Sequence, residues 1–350
     1  MELSKVCHFL RALTSLVIFL VALGAEADLK VLNLNVWHGL DAVGTLKFGD
    51  LETNSSRKNR RERFLKLAKA GDYDVILLQE VNPVDSLSKK WANELGMDEI
   101  HQSDNCGIKV FGWGPPVNFH NGIAIFAKKE LNLKKLGSKK LSGDSGFCGD
   151  LFSFQLGEFR YALAGEITTK DKTVLLATTH LHHEIGDDKY IKTVNGFSMV
   201  SDKRKNDVLK GLAGAQKRRK DEISNLINFL TELRRKKPYD EVILGGDFNS
   251  EPGGSEFQLL NSKLFYASHG FQTWRPDINP NAKTDSELKM PFGIKDSETE
   301  LVEMVRGHRG SNRNLDHIFL SKPQIIELSP FPSTGPQVSD HIGISTKVSL

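Results

Sequence analysis

Asp247 and Asn249 stand two residues apart in Gly245-Gly246-Asp247-Phe248-Asn249, directly after the apolar run Glu241-Val-Ile-Leu244. Residues two apart on an extended chain share a face. A carboxylate beside an amide suits oxygen chemistry: holding a hard cation, a phosphate or an attacking water. Asp and Asn after a strand also form turns, so the pair gains weight only in company. That company is present. Asn35 ends Val31-Leu-Asn-Leu-Asn35, Glu80 ends Asp74-Val-Ile-Leu-Leu-Gln-Glu80, and His180 ends Thr173-Val-Leu-Leu-Ala-Thr-Thr-His180. Asp316 opens Asp316-His317-Ile-Phe-Leu320, and Ser339-Asp340-His341 follows. A single polar residue at a strand end is ordinarily a cap or solvated. Five apolar runs that each meet Asn, Glu, His or Asp point to one shared site. An oxygen-rich set without thiolates suits Mg²⁺, with Mn²⁺ as a substitute. A Zn²⁺ site on His180-x-His182 leaves Asn35, Glu80, Asp247 and Asn249 unexplained and is set aside.

The runs that carry these residues alternate with helical patterns. Arg57 to Ala70 reads as a basic helix with Phe64, Leu65, Leu67 and Ala68 inward. Ser86 to Leu95 reads as a second helix, with Leu87, Trp91 and Leu95 at helical spacing. Ala215 to Arg235 carries Ile223, Leu226, Ile227, Leu230 and Leu233 on one stripe. Its basic outer face, Lys217 to Lys220, reads as solvated. Gly122 to Lys128, Ala162 to Thr168 and Thr173 to Leu181 read as strands, joined by others near residues 241, 315 and 343. Gly245 and Gly246 read as the boundary of the strand before them. Two sheets face to face with helices outside would bury this pattern.

The motifs Leu-Asn-Leu-Asn35, Leu-Leu-Gln-Glu80, Thr-His180-Leu-His182, Gly-Asp247-Phe-Asn249, Leu-Asp316-His-Ile and Ser-Asp340-His341 resemble, in identity and order, those of the endonuclease/exonuclease/phosphatase superfamily of metal-dependent phosphodiesterases. The resemblance spans nearly all of residues 28–350. It implies an α/β (α+β) fold, a four-layer α/β/β/α sandwich of two packed mixed β-sheets, with the site where strand ends from both sheets meet. It also implies roles. Glu80 is the first metal ligand, Asn35 lies beside it, and Asp340 lies in the metal shell or just behind. His341 is the general base, its ring oriented by Asp316. Asp247 and Asn249 position the attacking water and the phosphate. His180 faces the phosphate from the other side, donating a hydrogen bond or a proton. His182 shares the face of His180, while His183 and His317 point away. His38, His120 and His308 read as ordinary polar residues.

Within the superfamily, Leu29-Lys-Val-Leu-Asn-Leu-Asn-Val-Trp37, Thr179-His-Leu-His-His-Glu184, the helix start Ala215-Gln-Lys-Arg-Arg219 and Thr273-Trp274 before Asn279-Pro280 are most similar to the neutral sphingomyelinase branch. That implies hydrolysis of sphingomyelin to ceramide and phosphocholine, with a phospholipid at a membrane surface as partner. Phe111, Trp113, Phe119, Tyr190 and Phe197 either touch lipid or pack loops onto the core. The chain departs from some secreted sphingomyelinases in lacking a long apolar hairpin. The alternative is a secreted DNase I-like nuclease, for which the clusters Arg57 to Arg63, Lys203 to Lys205 and Lys217 to Lys220 could track a phosphate backbone. A non-catalytic binding protein is the third reading, and the filled catalytic positions speak against it.

Lys5 and Arg11 flank the apolar stretch Leu13 to Leu23, and Ala25-Glu26-Ala27 offers a small-x-small cleavage pattern. Residues 1–27 therefore read as a secretory signal peptide, and a membrane anchor would need about 20 apolar residues. The catalytic domain is expected over 28–350, secreted or periplasmic. Export would leave Cys106 and Cys148 as a pair in an oxidising compartment, so a disulfide is expected, with two separate buried thiols as the alternative. Asn54-Ser55-Ser56 is a glycosylation acceptor pattern. The 350 residues are 39% hydrophobic and 26% charged, the composition of a soluble globular protein. A formal net charge of +3 does not demand a polyanionic partner.

Overall fold

The computed structural model describes residues 28–41, 50–104, 109–110, 120–143, 147–148, 152–154, 159–182, 202–275 and 313–350. The leader, Cys106 and its expected disulfide, Phe111, Trp113, Phe119, His183, Tyr190, Phe197, Asn279-Pro280 and His308 lie outside them. Among the described residues no helix is long and apolar enough to cross a membrane.

The principal strands are β1 (Asp28–Asn35), β2 (Val75–Val81), β3 (Met97–Ser103), β4 (Gly122–Lys128), β5 (Lys134–Ser142), β6 (Arg160–Thr168), β7 (Thr173–His180), β8 (Glu241–Asp247), β9 (Phe265–Tyr266), β10 (Asp316–Leu320), β11 (Ile325–Phe331) and β12 (Gly343–Ser349). They form two six-stranded sheets, ordered β11-β12-β1-β2-β4-β3 and β9-β10-β8-β7-β6-β5. Each sheet has one parallel pair near its middle, β1 with β2 and β7 with β8. The other pairings are antiparallel.

Alternation sorts the side chains into layers. Val31, Val75, Leu77, Ile125, Leu163, Leu176, Ile243 and Ile318 meet between the sheets. Leu32, Leu34, Ile76 and Leu78 point the other way, onto Phe64 and Ala68 of α1 (Asn54–Gly71) and Leu87 and Trp91 of α2 (Val84–Leu95). On the far face, Ala162, Ala164, Leu175 and Ala177 pack against Ile223, Leu226, Ile227 and Leu230 of α3 (Asp202–Lys236). The result is the expected α/β/β/α sandwich.

The differences from the sequence reading are local. Helix α1 starts three residues earlier than Arg57, because Thr53 caps it by accepting the Ser56 N–H at 3.2 Å. Helix α3 begins at Asp202 rather than Ala215. Its first six residues are all polar, and Gly211 and Gly214 weaken the helical signal of Val208, Leu209 and Leu212 that follow. The basic face of α3 is not uniformly solvated. Arg219 is fully buried and pairs with Glu256 at 3.1 Å. Strand β8 runs through Gly245 and Gly246 rather than stopping before them. A Cβ at Gly245 would meet Leu77 Cδ1 at 2.6 Å and Asn33 Oδ1 at 2.9 Å, and one at Gly246 would meet the Thr179 carbonyl at 2.4 Å. The glycines therefore admit the opposite sheet and the neighbouring strand rather than end the element.

His317 points away from the site, as expected, into a cage of Phe248, Phe257, Tyr266 and Phe319. Its Nε2–H donates to the Ser250 carbonyl at 2.8 Å, which leaves Nδ1 to accept the Tyr266 hydroxyl at 3.2 Å. Burial holds its imidazole down to about 3. Between about pH 6.5 and about pH 3 the unfolded chain takes up a proton that the native ring refuses, so stability falls with falling pH by roughly 1.4 kcal/mol per unit from this group. His317→Asn is expected to flatten the loss of denaturation free energy between about pH 7 and about pH 5. Equal slopes for the two proteins would show that the ring is not buried neutral.

Candidate active site

The parallel pairs decide where the chemistry collects. β1 and β2 point the same way, and their C-terminal ends carry Asn35 and Glu80. β7 and β8 likewise end at His180 and Asp247, which are register partners. Antiparallel β10 begins at Asp316, the register partner of Asp247 on its other side. His180, Asp247 and Asp316 thus form one row across three strands, on one face of one sheet. His341 precedes β12, which pairs with β1 in the opposite sheet. One end of the sandwich gathers all of them.

Below this row the sheets are tied by polar groups. Gln79 Nε2 donates to Asn33 Oδ1 and to Thr178 Oγ1, each at 2.9 Å, and Asn33 Nδ2 donates to the Gly246 carbonyl at 3.3 Å. All three side chains belong to fully buried residues. Leaving one such group without its partner costs about 1–3 kcal/mol, so the bridge fixes how the two sheets meet beneath the site.

Asn35 is the hub. Its Nδ2 donates to Glu80 Oε1 at 3.0 Å and to Asp247 Oδ2 at 2.9 Å, while its Oδ1 accepts the Trp37 N–H at 3.0 Å. His180 Nε2 lies 3.7 Å from Glu80 Oε1 and 3.7 Å from Asp247 Oδ2. His341 Nδ1 donates to Asp316 Oδ2 at 2.7 Å, and its Nε2 lies 3.7 Å from Asp247 Oδ2. Asn249 donates its N–H to Asp247 Oδ1 at 2.9 Å and its Nδ2 to the Leu181 carbonyl at 3.1 Å. Asp340 joins through charge, felt by both Glu80 and His341.

Strict alternation would turn Glu80 outward, because Val75, Leu77 and Gln79 already face the other sheet. The β2–β4 ladder is irregular between Leu78 and Val81, and Glu80 has φ 57°. This bulge swings the carboxylate onto Asn35. Trp37 (φ 55°) and Asn249 (φ 50°) are also left-handed, whereas Asp72 and Asn132 adopt that conformation as C-caps. Three non-glycine left-handed residues thus cluster around the site, a pattern of backbone strain held by its surroundings.

The carboxylates differ in charge state. Burial by itself would raise the Glu80 carboxyl, yet the charges of His38 and His180 and hydrogen bonds from Asn35 and the His38 amide hold it well below the usual range. Burial and then the charge of Asp316 push Asp247 up to about 7, against the pull of His341. Burial disfavours protonation of His341, but the charge and hydrogen bond of Asp316, aided by Asp247 and Asp340, raise it well above its ordinary value. The carboxyl of Asp340 is raised, chiefly by burial.

His38, read from the sequence as an ordinary polar residue, Thr273, read only as part of a sphingomyelinase-like motif, and His269, not singled out, all support the site. His38 donates its N–H to Glu80 Oε2 at 3.0 Å and holds its ring Nε2 3.4 Å from the same oxygen. Thr273 Oγ1 accepts the N–H groups of Leu315 and Asp316, both at 2.9 Å, and so fixes the start of β10. His269 Nε2 reaches the Asp316 carbonyl at 3.2 Å. A lone histidine or threonine in a loop gives no periodic signal. His182 is held by α3 through its backbone, its N–H donating to Glu222 Oε2 at 2.9 Å. His120 pairs with Asp85 at 2.8 Å, on α2.

Glu80, His180 and Asp247 each offer one ligand atom, and these atoms all lie within 4.8 Å of one another. A buried and a half-buried carboxylate converging on one point call for positive charge, and no sulfur is among the donors. The donor set fits a divalent cation. Fold and site together define a metal-dependent phosphoester hydrolase. The profile of the Endonuclease/Exonuclease/phosphatase family matches residues 32–341, and the chain belongs to that family.

Solved structures agree on the fold. The chain is similar to the human Nocturnin catalytic domain with bound sulfate anion (15% identity, 91% of this chain and 92% of that one, TM-score 0.51). It is similar to truncated TDP2 of Caenorhabditis elegans (15%, 92% and 98%, TM-score 0.55). It is also similar to a mannosyl-6-phosphatase of Bacteroides thetaiotaomicron (15%, 91% and 98%, TM-score 0.52). No curated protein matches the sequence.

Proposed function

We propose that this protein is an exported, Mg²⁺-dependent phosphodiesterase that hydrolyses sphingomyelin to ceramide and phosphocholine. The observation that carries the hydrolytic part is the arrangement of the Asp316–His341 pair opposite Glu80 and His180, with Asp247 between them. Glu80 would hold the cation with Asn35 beside it and Asp340 in or behind the shell. The bound ion would act as a Lewis acid on the phosphoryl oxygen and leaving group.

The remaining chemistry belongs to the chain. His341 Nε2 takes the proton of the attacking water, and Asp316 stabilises the imidazolium so formed. Asp247 and Asn249 position the water and the phosphate. As the water oxygen bonds to phosphorus, the bond to the ceramide oxygen breaks. His180 faces the phosphate with a hydrogen bond or a proton.

The choice of lipid over polynucleotide rests on the sphingomyelinase-like motifs and draws support from the basic clusters. Arg60 is buried against Glu52, and Arg61 and Arg63 donate to the carbonyls of Asn82 and Gln337. Arg218 pairs with buried Glu222 and Arg219 with buried Glu256, while Lys217 stays on the surface beside Asp221. Cations engaged inside the molecule contribute little to tracking a phosphate backbone. The net charge of +3 adds no strong attracting field.

Purified protein is to be mixed with sphingomyelin micelles and with plasmid DNA, each in Mg²⁺ and in EDTA. The expected result is phosphocholine release in Mg²⁺, much slower DNA cleavage, and no turnover in EDTA. DNA digestion with sphingomyelin left intact would overturn the substrate. Inertness toward both, with Mg²⁺ still bound, would favour a binding protein.

A further inference from the structure

Helix α1 presents Arg60, Phe64 and Ala68 on its buried face, four residues apart. Phe64 and Ala68 are core residues, but a buried guanidinium needs a reason. Arg60 is 4% exposed. Its Nε donates to Glu52 Oε2 at 3.1 Å and its Nη2 to Glu52 Oε1 at 2.5 Å, so the charge is neutralised by a two-pronged pair. Its Nη1 donates to two carbonyls, those of Val36 and, at 3.3 Å, Val338. The guanidinium carbon lies 5.0 Å from the Trp37 ring centre.

Those two carbonyls belong to segments far apart in the chain, one just after β1 and one shortly before β12. Val36 follows Asn35, and the next two residues feed the site: the Trp37 N–H binds Asn35 Oδ1 and the His38 N–H binds Glu80 Oε2. Val338 lies three residues before His341, and Ser339 Oγ between them accepts the His341 N–H at 3.1 Å.

We propose that Arg60 is a positioning residue whose guanidinium sets the spacing between the Asn35–Glu80 side of the site and His341. The inference rests on the phosphodiester hydrolysis proposed above. Only arginine fits the place. Its rigid fork reaches a carboxylate and two carbonyls at once, whereas lysine offers one point of charge. Arg63 of the same helix donates to Gln337 at 2.7 Å, a second tie to the same segment that Arg60→Lys leaves in place.

The test is Arg60→Lys, assayed in Mg²⁺ on bis(p-nitrophenyl) phosphate, alone and combined with His341→Ala. The expected result is a kcat lowered about 10- to 100-fold, as for an ångström-scale misplacement of catalytic groups. KM should stay within about twofold and the melting temperature within a few degrees. In the His341→Ala background the penalty should shrink to less than about threefold, because the residue Arg60 acts through is gone. A wild-type kcat in Arg60→Lys, or the same penalty with and without His341, would overturn the proposal. Should the lysine variant not fold, Glu52→Gln keeps one of the fork's two hydrogen bonds, sets the amide NH2 against the other and removes the counter-charge, and the same pair of outcomes decides.

A second readout does not need activity. The proton in the His341 Nδ1–Asp316 hydrogen bond is identified in the NMR spectrum by its absence in His341→Ala. It should shift or broaden in Arg60→Lys, and an unchanged signal counts against the proposal. If the wild-type protein hydrolyses no phosphodiester, the reaction assignment fails while this measurement still reports on Arg60.

Discussion

Replacing His341 by alanine is expected to lower kcat by about 10²- to 10⁴-fold, the span for removing a general acid or base, with the fold retained. The ring is doubly determined. Its Nδ1 is fixed on Asp316 at 2.7 Å, and its Nε2 faces Asp247 Oδ2 at 3.7 Å. The sign of the pH dependence follows from the same contacts. Asp316 raises the imidazole well above its ordinary value, so the ring holds its proton until the pH is high and the rate climbs as that proton leaves. Asp316→Asn removes the largest raising influence and should move the rising limb to lower pH, while His341→Ala abolishes it. Rates of both variants across the pH range are the measurement. If His341→Ala keeps the rising limb, the base is another group. Asp247, pushed up to about 7 by burial and Asp316, and His180 are then the two to replace next.

The sequence made these residues visible because of where they stand. Asn35, His180, Asp247 and Asp316 each sit at the end of an apolar run, and a strand end exposes a side chain that strand interiors would bury. Alternation in the same runs gave the two packed sheets, since Val31, Leu77, Leu176 and Ile243 fall on the shared face. What alternation could not show is Glu80 turning toward the site, because that depends on one bulged residue with φ 57°. His38 was read as an ordinary polar residue for a related reason. It is placed by the Trp37 turn and not by any period. Arg219 read as a solvated charge and Arg60 as one of a basic cluster that could track a phosphate backbone, because helical periodicity places a residue on a face but does not say what lies opposite. Glu52 and Glu256, which neutralise them, are 8 and 37 residues away in the chain.

Glu80→Gln is expected to cost roughly 10²- to 10³-fold in kcat at fixed Mg²⁺, matching the several kcal/mol that a Lewis-acid cation contributes to a charged transition state. The substitution keeps the shape of the side chain. Its Oε1 can still accept from Asn35 Nδ2, and the irregular ladder that orients residue 80 is unchanged. What disappears is a charge that His38, His180 and Asn35 hold ionised despite burial. A carboxylate kept deprotonated in a half-buried site, 3.7 Å from His180 and joined to Asp247 through Asn35, is arranged to receive a cation. The loss should therefore be partly recovered at high Mg²⁺, with the half-saturating concentration raised about tenfold or more. EDTA should abolish turnover in the wild type, and excess Mg²⁺ should restore it. A general loss of packing would lower the melting temperature instead and leave the Mg²⁺ dependence of the surviving activity unchanged. Titrating Mg²⁺ against rate for both proteins, beside their thermal unfolding, separates the two cases. A Glu80→Gln enzyme with the wild-type titration curve and rate would remove Glu80 from the site.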